Sequence, residues 1–433
     1  MKKLVYLVIL MVISTQFIAC GVSKDIDMEE VVKVSNDIAD SPLQLSTEQK
    51  IEDFQYLYET MNKLYPYWGE IKDLGKDPEG LYNKYLEEVQ KTESDMAFCN
   101  TVLAYFDELD AYTIGHLSVM NPGSYEYLKV LYGDIENRRS WFKVLSNPIS
   151  TKLYSACDID EVAQFKRHKE DELENEEQKE AIKEIALDSN PIRLEVIEDG
   201  EVGYIKVPSF DALNIEEQVP KIRAFIQEHQ DLEHMIIDIR GNGGGGDSYW
   251  REAFVSPNIT EEQYYTNYYL YNLETIENEL TKPFIEEINA YLYEEKRKIE
   301  EFPDSIPLNS NGCQFEYFTY ETQEIKPHSQ EADYSGKFWL LIDHHNASAS
   351  ASFIQFCKEN QFATLVGEPD NGDNCNGDPF LFSLPNSGVI IRFDLFYGVN
   401  IDGTCNGISG CQPDIECASV EALQVCLENI RMS

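Results

Sequence analysis

The sequence predicts an α/β protein in which a helical N-terminal region precedes a core of short strands alternating with helices. Three observations predict this. Apolar residues recur at helical spacing from Ile51 onward, short apolar runs alternate with helical ones from about residue 196, and 42% of the 433 residues are hydrophobic, including 21 Phe and 26 Tyr. Such a balance can bury a core and excludes disorder along the whole chain. At roughly 100–200 residues per domain, the length suggests two or three domains.

The elements follow in chain order. Lys2 and Lys3 precede an apolar run from Leu4 to Ile13, and Gln16-Phe17-Ile18-Ala19-Cys20-Gly21 ends the segment. Residues 1–19 read as a signal peptide, with small Ala19 where a peptidase needs room. The apolar run is short for a membrane span of ~20 residues. Its Ile-Ala-Cys ending resembles a bacterial lipoprotein box, in which Cys20 would be acylated and become the mature N-terminus, although Phe17 stands where such boxes usually carry Leu. An ordinary cleaved signal or a short membrane anchor is the alternative. The expected location is the cell envelope, facing outside the cytoplasm, with the membrane reached through the lipid anchor; stable anchoring takes more than one acyl chain. Residues 20–44 form a lipidated N-terminus and a polar linker without periodicity.

A helical N-terminal domain is expected over residues 45–195. Ser46 and Gln49 form a possible capping box before Ile51, Phe54, Leu57, Met61 and Leu64, and Pro66 ends that pattern. Leu103, Phe106 and Leu109 continue it, and six of the eight residues from Glu170 to Glu177 are acidic, as on a solvated face or loop.

Residues 196–433 make the core. Val202–Val207 reads as a strand, Asn214 and Glu217 cap a helix carrying Ile222, Phe225 and Ile226, and Met235–Ile239 is a buried strand. A Tyr-rich insertion spans about 260–330. Phe338–Asp343 is another buried strand, Ala347–Asn360 a helix, and Phe380–Leu384 and Val389–Leu395 flank Pro385-Asn386-Ser387-Gly388, a hairpin turn by composition.

With 35 Lys+Arg against 78 Asp+Glu, the formal charge is −43. That disfavours nucleic acid as a partner, because its recognition draws on clustered basic residues. Nine cysteines remain besides Cys20, so they cannot all pair, and no Cys-x-x-Cys or Cys/His spacing suggests a metal. Five of them fall between 375 and 426, where disulfides are open in number and connectivity. No cofactor is expected.

Three motifs bear on chemistry. In Ile236-Ile237-Asp238-Ile239-Arg240-Gly241-Asn242-Gly243-Gly244-Gly245-Gly246 a buried strand opens into glycines that let backbone amides turn inward as an oxyanion hole. Taken alone, four glycines more often make a flexible turn. In residues 338–356 serines bridge a strand to a helix, where free amides and the helix dipole favour a nucleophile. Taken alone, Ser348, Ser350 and Ser352 would merely start a helix. The third motif, residues 107–120, holds a lone His116, by itself an ordinary histidine.

Together and in this order, GYIKVPSF, IIDIRGNGGG, FWLLIDHHNASASASF, ATLVGEP and SGCQPDI resemble the C-terminal processing (tail-specific) serine peptidases and their tricorn-like relatives. The resemblance covers about residues 196–417. It implies a crotonase-like stack of ββα units and cleavage of a polypeptide substrate through an acyl-enzyme. By position Ser348 matches the nucleophile, with Ser350 as fallback, and the resemblance implies an oxyanion hole from the amides of Gly243, Gly244 and Ala349. The family's Ser-Lys branch places a lysine where this chain has Asp373. The Ser-His branch places a histidine where His116 stands, and a glutamate where this chain has Gly407. Asp402, Asp414 and Glu416 are the candidate substitutes for that orienting acid. Residues 120–195 show no PDZ-type carboxylate-binding loop. The implied activity is that of an exported, lipid-anchored serine endopeptidase; the alternative is a weak or inactive relative that binds peptide or an envelope partner. Oligomeric state is open.

Overall fold

The structure, a computed structural model, describes residues 43–109, 114–133, 135–156, 191–198, 201–288, 296–372 and 378–432. The signal peptide, Cys20, the acidic run at 170–177 and Asp373 lie outside the described residues. The chain divides into two compact units: residues 1–182, 271–296 and 378–396 in the first, and 183–270, 297–377 and 397–433 in the second. The insertion at 260–330 is thus shared between them. No helix among the described residues is long and apolar enough to cross a membrane.

The first unit is built on helices α1 (Thr47–Leu64), α2 (Pro78–Val89) and α3 (Asp95–Leu109). The expected capping box starts α1: Ser46 Oγ accepts from Gln49 N and Gln49 Oε1 accepts from Ser46 N. The helix stops at Tyr65, whose backbone is extended, as expected ahead of a proline. Phe54, Leu57 and Met61 of α1 and Phe98, Val102 and Tyr105 of α3 are fully buried, with Phe54 and Tyr105 packed edge to face at 5.2 Å.

A three-stranded antiparallel sheet completes this unit, with Ser118–Val119 paired to the middle strand Ile390–Phe393 and Phe380–Ser383 on its other side. Turn 385–388 joins the last two strands, as its composition predicts. That hairpin is fixed to α1 through buried Asp53, whose carboxyl accepts from Asn386 N at 2.8 Å and Ser387 N at 2.7 Å. Burial pushes the Asp53 carboxyl up, and hydrogen bonds from Ser387 and Asn386 oppose the shift.

The second unit is centred on a six-stranded sheet: β1 (Arg193–Ile197), β2 (Val202–Lys206), β3 (His234–Asp238), β4 (Lys337–Ile342), β5 (Ala363–Gly367) and β6 (Ile415–Glu416), in spatial order β6-β5-β4-β3-β2-β1. Only β1 and β2 pair antiparallel; the other neighbours are parallel. Strand texture therefore begins at Arg193, a few residues before the boundary read from the sequence. Helix α4 (Ile215–Glu228) lies between β2 and β3 in the chain, α5 (Ala349–Asn360) between β4 and β5, and α6 (Ala422–Met432) ends the described chain.

Successive residues of each strand enter opposite layers, which is why these strands read as continuous apolar runs. Ile205, Ile237, Leu340 and Leu365 join Ile222 and Ile226 of α4 and Phe353 and Phe356 of α5 in one core. Tyr204, Ile236, Leu341 and Val366 join Ala422 and Cys426 of α6 in the other. The cap expected at Asn214 moves upstream: Asp211 caps a single 3-10 turn ahead of α4, and Asn214 is buried with no side-chain cap bond. Cys411, Cys417 and Cys426 are free thiols, and Cys375 lies outside the described residues.

Candidate active site

Three parallel strands deliver three loops to one edge of the six-stranded sheet. Residues 239–246 follow β3, 343–348 follow β4 and 368–372 follow β5, at the carboxyl ends of the strands where open α/β sheets place their ligands.

Ser348 is the N-cap residue of α5, with φ 55° and ψ −127°. A left-handed φ at a residue with a Cβ costs roughly 1–3 kcal/mol and persists only where the surroundings over-determine it. Here they do. The Ser348 amide donates to the Gly372 carbonyl at 3.1 Å, and its own carbonyl accepts the first bond of α5 from Ser352 N at 2.9 Å. Gly244, at φ +107°, closes over it: a Cβ there would lie 2.7 Å from Ala347 O, 2.9 Å from Ser348 Cβ and 3.0 Å from Ala349 N. The glycine run is therefore a fixed close approach at Gly244.

Asn242, fully buried, sets the shape of that loop. Its Oδ1 accepts from Gly244 N at 2.9 Å, and its Nδ2 donates to Val207 O at 3.1 Å. Asn346, also buried, donates to the carbonyls of Ile239 at 2.6 Å and Asn242 at 3.0 Å, clamping the β3 and β4 loops together. Below them Asp238 is held by Arg240, Lys206 and Tyr204. Burial pulls the Asp238 carboxyl up, but bonds from Arg240 and the Lys206 charge outweigh it and hold it below the usual range.

This geometry separates the two serines. Ser350 Oγ is fully buried and lies 2.7 Å from Asn242 O and 2.8 Å from its Oδ1, so it is spent on the loop. Ser348 is partly exposed beside the amides. The three expected amide donors also divide. Gly244 N is committed to Asn242, whereas Gly243 N and Ala349 N have no acceptor among the described residues. Ala349 N is one of the orphan donors that every helix start leaves.

The second group lies in the first unit. His116 has φ 53° and follows Gly115 at φ +60°, where a Cβ would lie 2.3 Å from the Tyr67 ring. His116 Nδ1 stands 3.0 Å from Asp394 Oδ2 and 3.1 Å from Oδ1, with the carboxylate side chain at 0% exposure. A carboxylate only accepts, so Nδ1 is the donor in this pair and carries the proton of the neutral ring. The backbone repeats the link, with Asp394 N donating to Gly115 O at 2.7 Å.

None of the three carboxylates named from the sequence is the one on His116. Asp402 accepts from Thr404 N and Oγ1 within its own turn, Asp414 accepts from Lys358 Nζ and Leu365 N, and Glu416 is exposed on β6. Asp394 was legible only as part of a strand. The available signal was a lone acid inside the apolar run Ile390-Ile391-Arg392-Phe393-Asp394-Leu395-Phe396, since a charge buried there needs a partner. Among the described residues no group of three or more His, Cys, Asp or Glu side chains is gathered to hold a metal ion.

Comparison with solved structures finds the same fold. The chain is similar to a candidate peptidase from Parabacteroides merdae ATCC 43184, at 14% identity over 89% of this chain and 97% of that one, with a TM-score of 0.52. It is similar to mature CPAF at 13% identity over 89% and 96% of the two chains, with a TM-score of 0.51. No curated relative matches the chain. The family model of Peptidase family S41 matches residues 201–417, half of the chain. That stretch runs from β2 through the three loops around Ser348 to β6 and just past it, and by this match the chain belongs to Peptidase family S41 and is a peptidase.

Proposed function

We propose that the chain is an exported, lipid-anchored serine endopeptidase that cleaves polypeptides through an acyl-enzyme. Ser348 Oγ attacks the scissile carbonyl, His116 Nε2 takes its proton and returns it to the leaving amine, and Asp394 holds the imidazole and steadies its positive charge. The amides of Gly243 and Ala349 stabilise the oxyanion, as preorganised donors do. Water then attacks the acyl-enzyme and regenerates Ser348. The assignment follows the Ser-His branch of the family, with the acid moved from the usual glutamate position to Asp394.

The observation that carries this reading is the pairing of His116 with Asp394, a buried carboxylate at 3.0 Å from Nδ1. It supplies the triad member that Gly407 lacks, and so favours an active enzyme over a silent relative that only binds peptide. The strained backbone of Ser348 beside two unengaged amides supports the nucleophile. Export and anchoring rest on the Lys2-Lys3 start, the apolar run and the Ile-Ala-Cys ending.

A fluorophosphonate probe tests the reading, because only an activated serine reacts. The native chain should be labelled on Ser348, with Ser348→Ala and His116→Ala both inert. A native chain that neither reacts nor cleaves an unstructured protein would make it a binding protein instead.

A further inference from the structure

The loop after β5 holds a buried acid that the mechanism does not use. Asp370 is 4% exposed, and among the described residues no cation pairs with it. Both carboxyl oxygens are taken by backbone amides: Oδ1 accepts from Gly372 N at 2.7 Å, and Oδ2 accepts from Cys411 N at 2.9 Å. The Asp370 carbonyl accepts from Gly410 N at 3.2 Å. One residue therefore ties turn 370–372 to segment 410–411, which lies some forty residues further along the chain.

That turn touches the nucleophile. Gly372 O accepts the Ser348 amide at 3.1 Å, and Asn371 N donates to Asn346 O at 2.8 Å, so the turn is stitched to the loop that presents Ser348. The fit leaves no slack. A Cβ on Gly410 would stand 1.7 Å from Asp370 Oδ1, and one on Gly372, at φ +70°, would stand 2.0 Å from Asn406 O. A strained φ at Ser348 needs fixed partners on both sides. Gly244 supplies one, and the Gly372 carbonyl supplies the other.

We propose that Asp370 is a positioning residue for the nucleophile: by fixing turn 370–372 it holds the Gly372 carbonyl on the Ser348 amide and keeps Ser348 in its left-handed conformation. The inference rests on Ser348 being the nucleophile. Asp370 touches neither substrate nor reacting atoms, so its loss acts on the reactivity of the serine and leaves substrate docking alone.

Two variants approach the clamp from opposite sides. Asp370→Asn keeps the volume but sets an amide donor against one backbone N–H, and Gly410→Ala drives a methyl into the carboxyl. The readouts are the rate of labelling by a small fluorophosphonate, kcat and KM on an unstructured protein, and thermal unfolding to give the folded fraction. Per folded molecule, labelling and kcat should fall together by roughly 10²-fold, the loss associated with ~1 Å misplacement, with KM unchanged. Folded variants that label at the native rate would overturn the proposal. So would activity lost only in proportion to the unfolded fraction, or global unfolding of both variants, since either makes Asp370 a structural residue. A native chain inert to the probe sinks the nucleophile assignment itself, a result distinguished before either variant is made.

Discussion

His116 and Asp394 are 278 residues apart in sequence and 3.0 Å apart at Nδ1 and Oδ2. Two antiparallel backbone pairs bring them together, Ser118 opposite Arg392 and Val119 opposite Ile391. The histidine precedes one strand and the acid follows the other, so antiparallel pairing lays them side by side.

Asp394→Asn should keep the fold and lose turnover. An amide in place of the carboxylate can turn its NH₂ toward Nδ1, which then accepts, and the proton moves to the nitrogen needed as base. A fall in kcat of about 10⁴ is expected, the size of loss that the same Asp→Asn change causes in a Ser-His-Asp triad. Steady-state cleavage of an unstructured protein measures it, and a variant within a few-fold of native would show that some other group orients His116.

Ser348→Ala and Ser350→Ala should fail differently. The first should abolish fluorophosphonate labelling while leaving the melting temperature near native. The second removes a buried donor from Asn242 and should destabilise the chain by about 1–3 kcal/mol in urea titration while Ser348 still labels. Loss of labelling in Ser350→Ala with unchanged stability would reverse the assignment.

Gly244→Ala should cripple the enzyme because the new methyl meets Ala347 O, Ser348 Cβ and Ala349 N. Displacing Ala349 N from the oxyanion should lower kcat by roughly 10²–10³. Gly241→Ala is the control: at φ +80° it is strained, but nothing lies within 4 Å of its Cβ, so it should lose some stability and keep most of its activity. Equal losses of activity in the two would argue that backbone strain, not contact with Ser348, is responsible.

Burial raises the Asp370 acid from an ordinary 3.8 to about 7, against the hydrogen bonds from Gly372 and Cys411. Between those values the folded chain keeps a proton that the unfolded chain has released. This group therefore lowers stability as pH rises through that window and adds no further slope above it. Asp370→Asn should remove that slope. Urea unfolding of native and variant chains across about pH 4 to 8 measures it, and parallel curves would place the acid's titration elsewhere.

Mass spectrometry of the mature N-terminus should find an acylated Cys20, and Cys20→Ser should release the protein from the membrane fraction. An unmodified terminus at another residue would remove the lipid anchor from the proposal.

Order is legible in the sequence where it is decided locally. The Ser46–Gln49 box, the hairpin at 385–388 and Ser348 at the start of α5 each follow from residues within a few positions of one another. What escapes depends on distant pairing. Asp394 reads as strand filler because its partner enters through the register of another strand, and no periodicity reports that. The Gly244 amide reads as available because its acceptor, Asn242 Oδ1, is set by a side-chain rotamer. The 260–330 insertion reads as one body, yet its middle packs with the N-terminal helices, a choice made by long-range contacts.

The first unit is assembled from three stretches of chain, and the last of them carries Asp394. During synthesis the histidine is made early and its carboxylate hundreds of residues later, so a nascent chain ending at 377 holds both Ser348 and His116 with the imidazole tautomer unset. Closing so long a loop is among the slower and later events of folding. On the triad reading the enzyme is thereby latent until the 380–393 hairpin returns to α1. Delayed delivery of one acid would hold the nascent peptidase inactive while it is being made.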